Sequence, residues 1–266
     1  MTPHEAGLVV AAWRRHYSVL LDAGGTLECV LKGRRTVVAC GDRVQVARIA
    51  GGGAIEKVEP RTSLLYRSDA FREKVLAANV TQVVGVVAPD IAVDENLLNR
   101  WIVAAELERC RFVLVANKAD LPGFPALVAR LAQYRSLGYP VVECEATRSA
   151  GPLAGIVAGE RSVLIGQSGM GKSTILNALC PHARARIGDV SDALGSGRHT
   201  TTETALFMLP GDAELRMVEV LEGQDTAALV AAKKWDCAPE DVTFSNGTVG
   251  DGGARTLPMA VNSPPT

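Results

Sequence analysis

Gly166-Gln167-Ser168-Gly169-Met170-Gly171-Lys172-Ser173 meets the phosphate-loop pattern G-x-x-x-x-G-K-[ST] at every constrained position, and it stands downstream of Asn117-Lys118-Ala119-Asp120. A polyphosphate needs converging backbone N–H groups, and Gly166, Gly169 and Gly171 permit the tight turn and close approach that aim them inward. The helix that Thr174 continues adds its positive end. Lys172 is expected against the β- and γ-phosphates and the Ser173 hydroxyl on Mg²⁺, with Gln167, Ser168 and Met170 completing the loop. Arg161 to Ile165 reads as a short buried strand entering the loop, and Thr174 to Leu179 as the helix leaving it. That strand, loop and helix context is what the motif requires.

The upstream string fits the N-K-x-D guanine reader. A carboxylate at Asp120 can accept two hydrogen bonds from guanine, from N1–H and from the exocyclic amine, a donor pair that adenine lacks. Asn117 is expected at the far edge of the purine, and the stem of Lys118 against the ring face. Arg111 to Ala116 is apolar and branched enough to be the strand that delivers this turn. Four residues alone are a weak pattern; joined to the phosphate loop they are a strong one. In an ordinary GTPase the phosphate loop comes first, so the order here predicts a circularly permuted GTPase. The N–H facing the guanine carbonyl is expected from Ala146, which follows the strand Pro140 to Glu143; Ser149-Ala150 is the alternative.

Composition bounds the class. At 266 residues and 47% hydrophobic the chain is long enough for two domains with real cores. Lys plus Arg number 28 against 29 Asp plus Glu, so net charge neither demands nor excludes nucleic acid. The distribution says more: residues 1 to 75 hold 12 basic against 8 acidic side chains, making the N-terminal part the more basic. Six cysteines form no C-x-x-C pair, which argues against a metal knuckle and a disulfide framework. No run has the length of a membrane span and the first residues lack a signal-peptide profile, so a cytoplasmic protein without membrane contact is expected, as a monomer.

Along the chain, Leu8 to Val10, Tyr17 to Leu21, Leu27 to Leu31, Thr36 to Ala39 and Arg43 to Ile49 are short branched runs, separated by turns that include Gly51-Gly52-Gly53. This spacing predicts a small β-barrel of the OB type over residues 1–62. Lys32, Arg34, Arg35 and Arg43 fall on its turns, where they favour phosphate, and Trp13, His16 and Tyr17 are candidates for stacking on bases. Arg61 to Lys74 reads as a linker. Asn79 to Ala88 reads as a buried strand, and Asp94 to Arg109 and Ala126 to Ser136 as helices, so an α/β domain on a largely parallel sheet is expected over 75–225.

Pro60-Arg61-Thr62-Ser63-Leu64-Leu65-Tyr66-Arg67, Asn79-Val80-Thr81-Gln82, the N-K-A-D turn, the phosphate loop and Gly197-Arg198-His199-Thr200-Thr201-Thr202, taken in this order, resemble the ribosome small subunit-dependent GTPase A family (RsgA, also called YjeQ). The resemblance runs from about residue 8 to Leu215. It implies GTP and GDP as ligands with Mg²⁺, slow GTP hydrolysis stimulated by the small (30S) ribosomal subunit, and a role in late assembly of that subunit through its rRNA. By position in the family motif, Thr201 is the first-switch threonine that holds Mg²⁺ and meets the γ-phosphate. His199 beside it is a candidate for positioning the attacking water.

After Leu215 the chain departs from that pattern. The family's strand ends in D-x-P-G, whose Asp holds Mg²⁺ through water; here Arg216 to Gln224 supplies no such string. The family's zinc subdomain, with three Cys and a His, also lacks a counterpart, since Cys237 alone lies beyond residue 180 and no His follows His199. Residues 226–266 are expected as a divergent, disordered tail without zinc. Divergence and a shifted reading frame both produce such a break, and its abruptness favours the second. Two functional expectations follow: an RNA-associated GTPase of small-subunit maturation, and a noncatalytic GTP-binding module on the ribosome. A P-loop ATPase or kinase is opposed by Asp120.

Overall fold

The computed structural model describes residues 4–13, 15–33, 37–69, 72–181, 204–209, 214–219, 243–245, 248–250 and 256–258. The N-terminal part closes on itself. Strands β1 (His4–Trp13), β2 (His16–Leu21) and β3 (Thr26–Leu31) form an antiparallel meander, and β4 (Arg43–Ile49) and β5 (Gly52–Val58) form a hairpin. β3 pairs parallel with β5, and β1 pairs antiparallel with β4, so the five strands make a closed barrel of OB type with no free edge among them. Val9, Tyr17, Val19, Leu21, Cys29, Val44, Val46 and Ile55 fill it.

The barrel corrects one expectation from the sequence. Residues 37–39 form no strand, and the fifth strand is β5, which begins inside the glycine run read as a turn. Close approach is the reason. A Cβ on Gly52 would lie 2.5 Å from the Glu28 carbonyl oxygen, and one on Gly53 2.6 Å from both Cys29 Sγ and Val46 Cγ1. The strand that shuts the barrel must lie too near its neighbours for a side chain there, and glycine in a strand marks such a place.

A second correction concerns the segment read as a linker. It holds a hairpin, β6 (Leu64–Asp69) with β7 (Arg72–Ala78), whose Leu65, Leu76 and Ala77 are buried in the core of the following domain. The junction with the barrel is hydrogen-bonded on both sides. Ala78 N–H donates to the Cys40 carbonyl at 3.0 Å, and Asn79 Nδ2 to that of Gly41 at 2.9 Å. Asp42, fully buried, accepts from Arg61 Nε and Nη2 at 2.7 Å each and from the Ala39 N–H at 2.8 Å.

The second domain alternates β8 (Gln82–Val87), α1 (Glu95–Leu107), β9 (Arg111–Ala116), α2 (Phe124–Ser136), β10 (Val141–Glu143), α3 (Gly151–Val157), β11 (Arg161–Gly166), α4 (Lys172–Leu179), β12 (Thr204–Met208) and β13 (Glu214–Glu219). Its sheet runs β10-β9-β8-β11-β13-β12, parallel except for β12, which is antiparallel to β13. β8 and β9 are apolar on both faces, as strands covered by helices on each side must be. Asp94 caps α1, accepting from the N–H of Asn96 at 2.9 Å and of Leu97 at 3.2 Å. Phe112 and Tyr139 meet edge to face in the core, with ring centroids 5.9 Å apart. β12 also pairs with β1 of the barrel, Ala205 opposite Ala11 and Thr204 opposite Ala12, so one sheet continues across both domains.

Residues expected as a disordered tail include three short strands, β14 (Thr243–Ser245), β15 (Thr248–Gly250) and β16 (Thr256–Pro258), paired antiparallel in that order. Alternating Thr, Phe, Val and Leu among the glycines supply enough β propensity for pairing. Among the described residues, no helix is long and apolar enough to cross a membrane.

Candidate functional site

β8, β9 and β11 are parallel, so the loops that follow them leave from one edge of the sheet, the carboxyl edge at which open α/β sheets bind ligands. The N-K-x-D turn follows β9 and the phosphate loop follows β11, with β8 between them. Starting the chain at β11 would put the phosphate loop first and the N-K-x-D turn after it. Permutation therefore changes the order of the segments and leaves the edge they share intact.

Asn117 joins the two motifs. Its side chain is 2% exposed; Nδ2 donates to the Met170 carbonyl at 3.0 Å, and Oδ1 accepts from the Ala146 N–H at 3.2 Å. One amide thus ties the phosphate loop to the 144–150 turn. The fit is close: Gly171 has φ 92°, and a Cβ there would stand 2.2 Å from Asn117 Nδ2. Gly166 is equally confined, a Cβ lying 2.7 Å from the Val86 carbonyl oxygen. Positions 166 and 171 therefore admit only glycine, because the neighbouring backbone and side chain stand too close for a Cβ.

Lys172 is buried, and Nζ donates to the carbonyls of Gly166 at 2.8 Å and Gln167 at 2.7 Å, so its ammonium is held inside the loop. Met170 is fully buried beneath the loop, whereas Ser168, Gly169 and Ser173 are exposed. Ile175 N–H donates to the Gly171 carbonyl at 3.0 Å, which starts α4 directly after the loop and points its N-terminus toward the cradle. Thr174 is half-buried on that first turn.

At the base turn, Asp120 is exposed and Lys118 half-buried, with φ 63° in the left-handed region. Lys118 Nζ pairs with Asp90, on the loop after β8, at 2.5 Å. This hydrogen-bonded ammonium holds the Asp90 carboxyl below the usual carboxylate range. Sequence reasoning missed Asp90, because nothing local marks a loop aspartate as the partner of a lysine twenty-eight positions away. Ala119 N–H donates to the Cys144 carbonyl at 3.2 Å, which sets the turn against the segment containing Ala146. Burial pushes the Cys144 thiol above its ordinary value.

The described residues thus bring together Asn117, Lys118, Asp120, Ala146, Gly166 to Ser173 and Thr174. His199 and Thr201 lie outside them, as do Arg34 and Arg35. Of the other basic groups expected to face phosphate, Lys32 pairs with Glu56 at 2.6 Å and Arg43 with Asp22 in a bidentate contact. Tyr17 fills the barrel core, so it is no stacking surface, whereas Trp13 and His16 stack on each other outside. The second-switch position is approached by β13, whose Glu219 lies opposite Gly166.

Comparisons with known proteins agree with this geometry. The family model described as RsgA GTPase matches residues 58–216. A small ribosomal subunit biogenesis GTPase RsgA from Nitrosomonas europaea is 46% identical over 214 residues, 79% of this chain and 68% of that protein. One of the same name from Neisseria meningitidis is 44% identical over 215 residues, covering 80% and 70%. The crystal structure of YjeQ from Thermotoga maritima superposes with a TM-score of 0.62 at 26% identity, covering 82% of this chain and 75% of that one. YloQ, described as a circularly permuted GTPase, shares the fold, with a TM-score of 0.58 at 21% identity and coverage of 83% and 73%. The chain belongs to the RsgA GTPase family.

Proposed function

We propose that this member of the RsgA GTPase family binds GTP and GDP with Mg²⁺, hydrolyses GTP, and serves in the late assembly of the small ribosomal subunit in the cytoplasm, holding rRNA through its barrel. The observation that carries the nucleotide reading is Asn117, whose one buried amide bonds both the phosphate loop and the turn beside the guanine reader. In this reading Asp120 accepts from the guanine edge, the Lys118 stem packs on its face, and the N–H groups of the 166–171 loop point at the phosphates. Lys172 exchanges its two carbonyl partners for phosphate oxygens. The hydroxyls of Ser173 and Thr201 would hold Mg²⁺, which would neutralise charge on the phosphates. His199 orients the attacking water. The relatives' printed names support the ribosomal role, and their identity with this chain extends over about four-fifths of it.

A second reading, a GTP-binding module with little turnover, is favoured by one feature. β13 leads to the phosphate-loop edge beside Gly166, and the residues that follow it, Val220-Leu221-Glu222-Gly223, contain no D-x-P-G. Equilibrium binding of GTP, ATP and XTP, followed by GTP turnover with and without purified small subunits, separates these readings. Selective GTP binding with turnover raised by the subunit supports the enzyme, and selective binding with flat turnover supports the module. Equal affinity for ATP would overturn both. Because the second-switch Asp is missing, stimulation is expected well below that of a relative carrying D-x-P-G, and subunit binding is expected to weaken steeply with salt.

A further inference from the structure

The loop that leaves β8 stands in the middle of the binding edge, because β8 lies between β9, which carries the guanine turn, and β11, which carries the phosphate loop. Neither motif includes it. Three consecutive residues of this loop each reach a flanking segment. Pro89 abuts the guanine side, where a Cβ on Gly123 would lie 3.2 Å from Pro89 Cβ. Asp90 accepts from Lys118 Nζ at 2.5 Å. Ile91 reaches the opposite side: it packs against the domain core, and a Cβ on Gly169 would lie 3.0 Å from its Cδ1. Backbone fixes the root of the loop, since Asn117 N–H donates to the Val87 carbonyl at 2.9 Å.

We propose that Pro89 to Ile91 form a third segment of the nucleotide site, in which Asp90 is the positioning residue for Lys118 and Ile91 buttresses the phosphate loop at Gly169. This rests on the reading of the edge as a guanine-nucleotide site and names residues that neither motif contains. Asp90 acts through Lys118. A lysine stem with four rotatable bonds loses rotamer freedom when it packs along a ring, and an ion pair formed before the nucleotide arrives removes part of that freedom in advance. The side chains of Lys118 and Asp90 are 26% and 43% exposed, so the pair sits at a wet rim and adds little to folding. Its effect is orientation. Ile91 has no polar group to offer a phosphate; it supplies volume beside Gly169, whose φ of 82° places the loop apex in the left-handed region. With the core behind it, Ile91 limits how far that apex can retreat from a ligand.

The test uses the full chain and equilibrium titration with a fluorescent GDP, with urea melts of each variant to report folding. Asp90→Ala should weaken GDP about two- to fivefold, the range of an exposed ion pair, and Asp90→Glu should recover most of that loss. In a Lys118→Met background Asp90→Ala should have no further effect, whereas a merely structural role for Asp90 would persist there. Ile91→Val removes only the Cδ1 that faces Gly169 and keeps the core largely filled; it should weaken GDP about two- to fivefold in both backgrounds, because its route does not pass through Lys118. GDP affinity that is unchanged in Asp90→Ala, or lowered equally with and without Lys118, overturns the positioning role while the nucleotide reading stands. Unchanged affinity in Ile91→Val overturns the buttress. A parent chain that does not bind GDP overturns the nucleotide reading itself.

Discussion

Substituting Gly171 by alanine tests whether the phosphate loop and the guanine turn form one unit. The added methyl would stand 2.2 Å from Asn117 Nδ2, so Asn117 must move. Moving it breaks the 3.0 Å bond to the Met170 carbonyl and the 3.2 Å bond from the Ala146 N–H. Each buried group left unpaired costs about 1 to 3 kcal/mol. Holding alanine at φ 92° adds roughly 1 to 2 kcal/mol. A total of about 3 to 8 kcal/mol, divided between folding stability and nucleotide affinity, follows from these terms. Calorimetric titration with GDP, paired with urea unfolding of the same protein, measures both parts. Combining the change with Asn117→Ala removes the clash and leaves the conformational term, so the Gly171→Ala penalty should fall to about 1 to 2 kcal/mol in that background. A penalty under 1 kcal/mol in the single variant, or one that adds fully in the double variant, would refute the claim that these motifs meet through Asn117.

Asp120→Asn should cost GTP about 2 to 4 kcal/mol of binding and shift preference toward xanthine nucleotides, because one acceptor becomes a donor; competition binding with GTP and XTP checks this, and unchanged GTP affinity removes the base-reading role. Asp42→Ala removes the buried carboxylate that the Arg61 guanidinium and the Ala39 N–H share at the barrel junction, and should lower stability by about 3 to 5 kcal/mol in urea melts, since breaking a buried pair costs far more than the pair contributes. The Asp90 carboxyl, observed by NMR, should titrate below its ordinary value of 3.8 and move up in Lys118→Met. Because the folded value is depressed, what this pair contributes is present above the ordinary carboxylate pKa and is lost as pH falls through the lower folded one.

The chemistry of the site is written locally, and the sequence alone determined it. A phosphate loop needs its glycines, lysine and serine at set spacing, and the guanine reader needs Asn and Asp three positions apart, so both are read without a fold. The buried strands Gln82–Val87, Arg111–Ala116 and Arg161–Gly166 were legible too, because parallel strands covered by helices are apolar on both faces. Other features depend on groups far apart in the chain. Gly52 and Gly53 look like a turn until barrel closure places Glu28 and Cys29 against them. The hairpin at 64–78 looks like a linker until the core beneath Leu65 and Leu76 is present. Asp90 becomes the partner of Lys118 only because β8 lies beside β9. Asn117 could be named from sequence as a purine contact. That the same amide also bonds Met170 and Ala146 was decided by the tertiary structure, since a hydrogen bond between residues 53 positions apart exists only once the parallel sheet brings both loops to one edge.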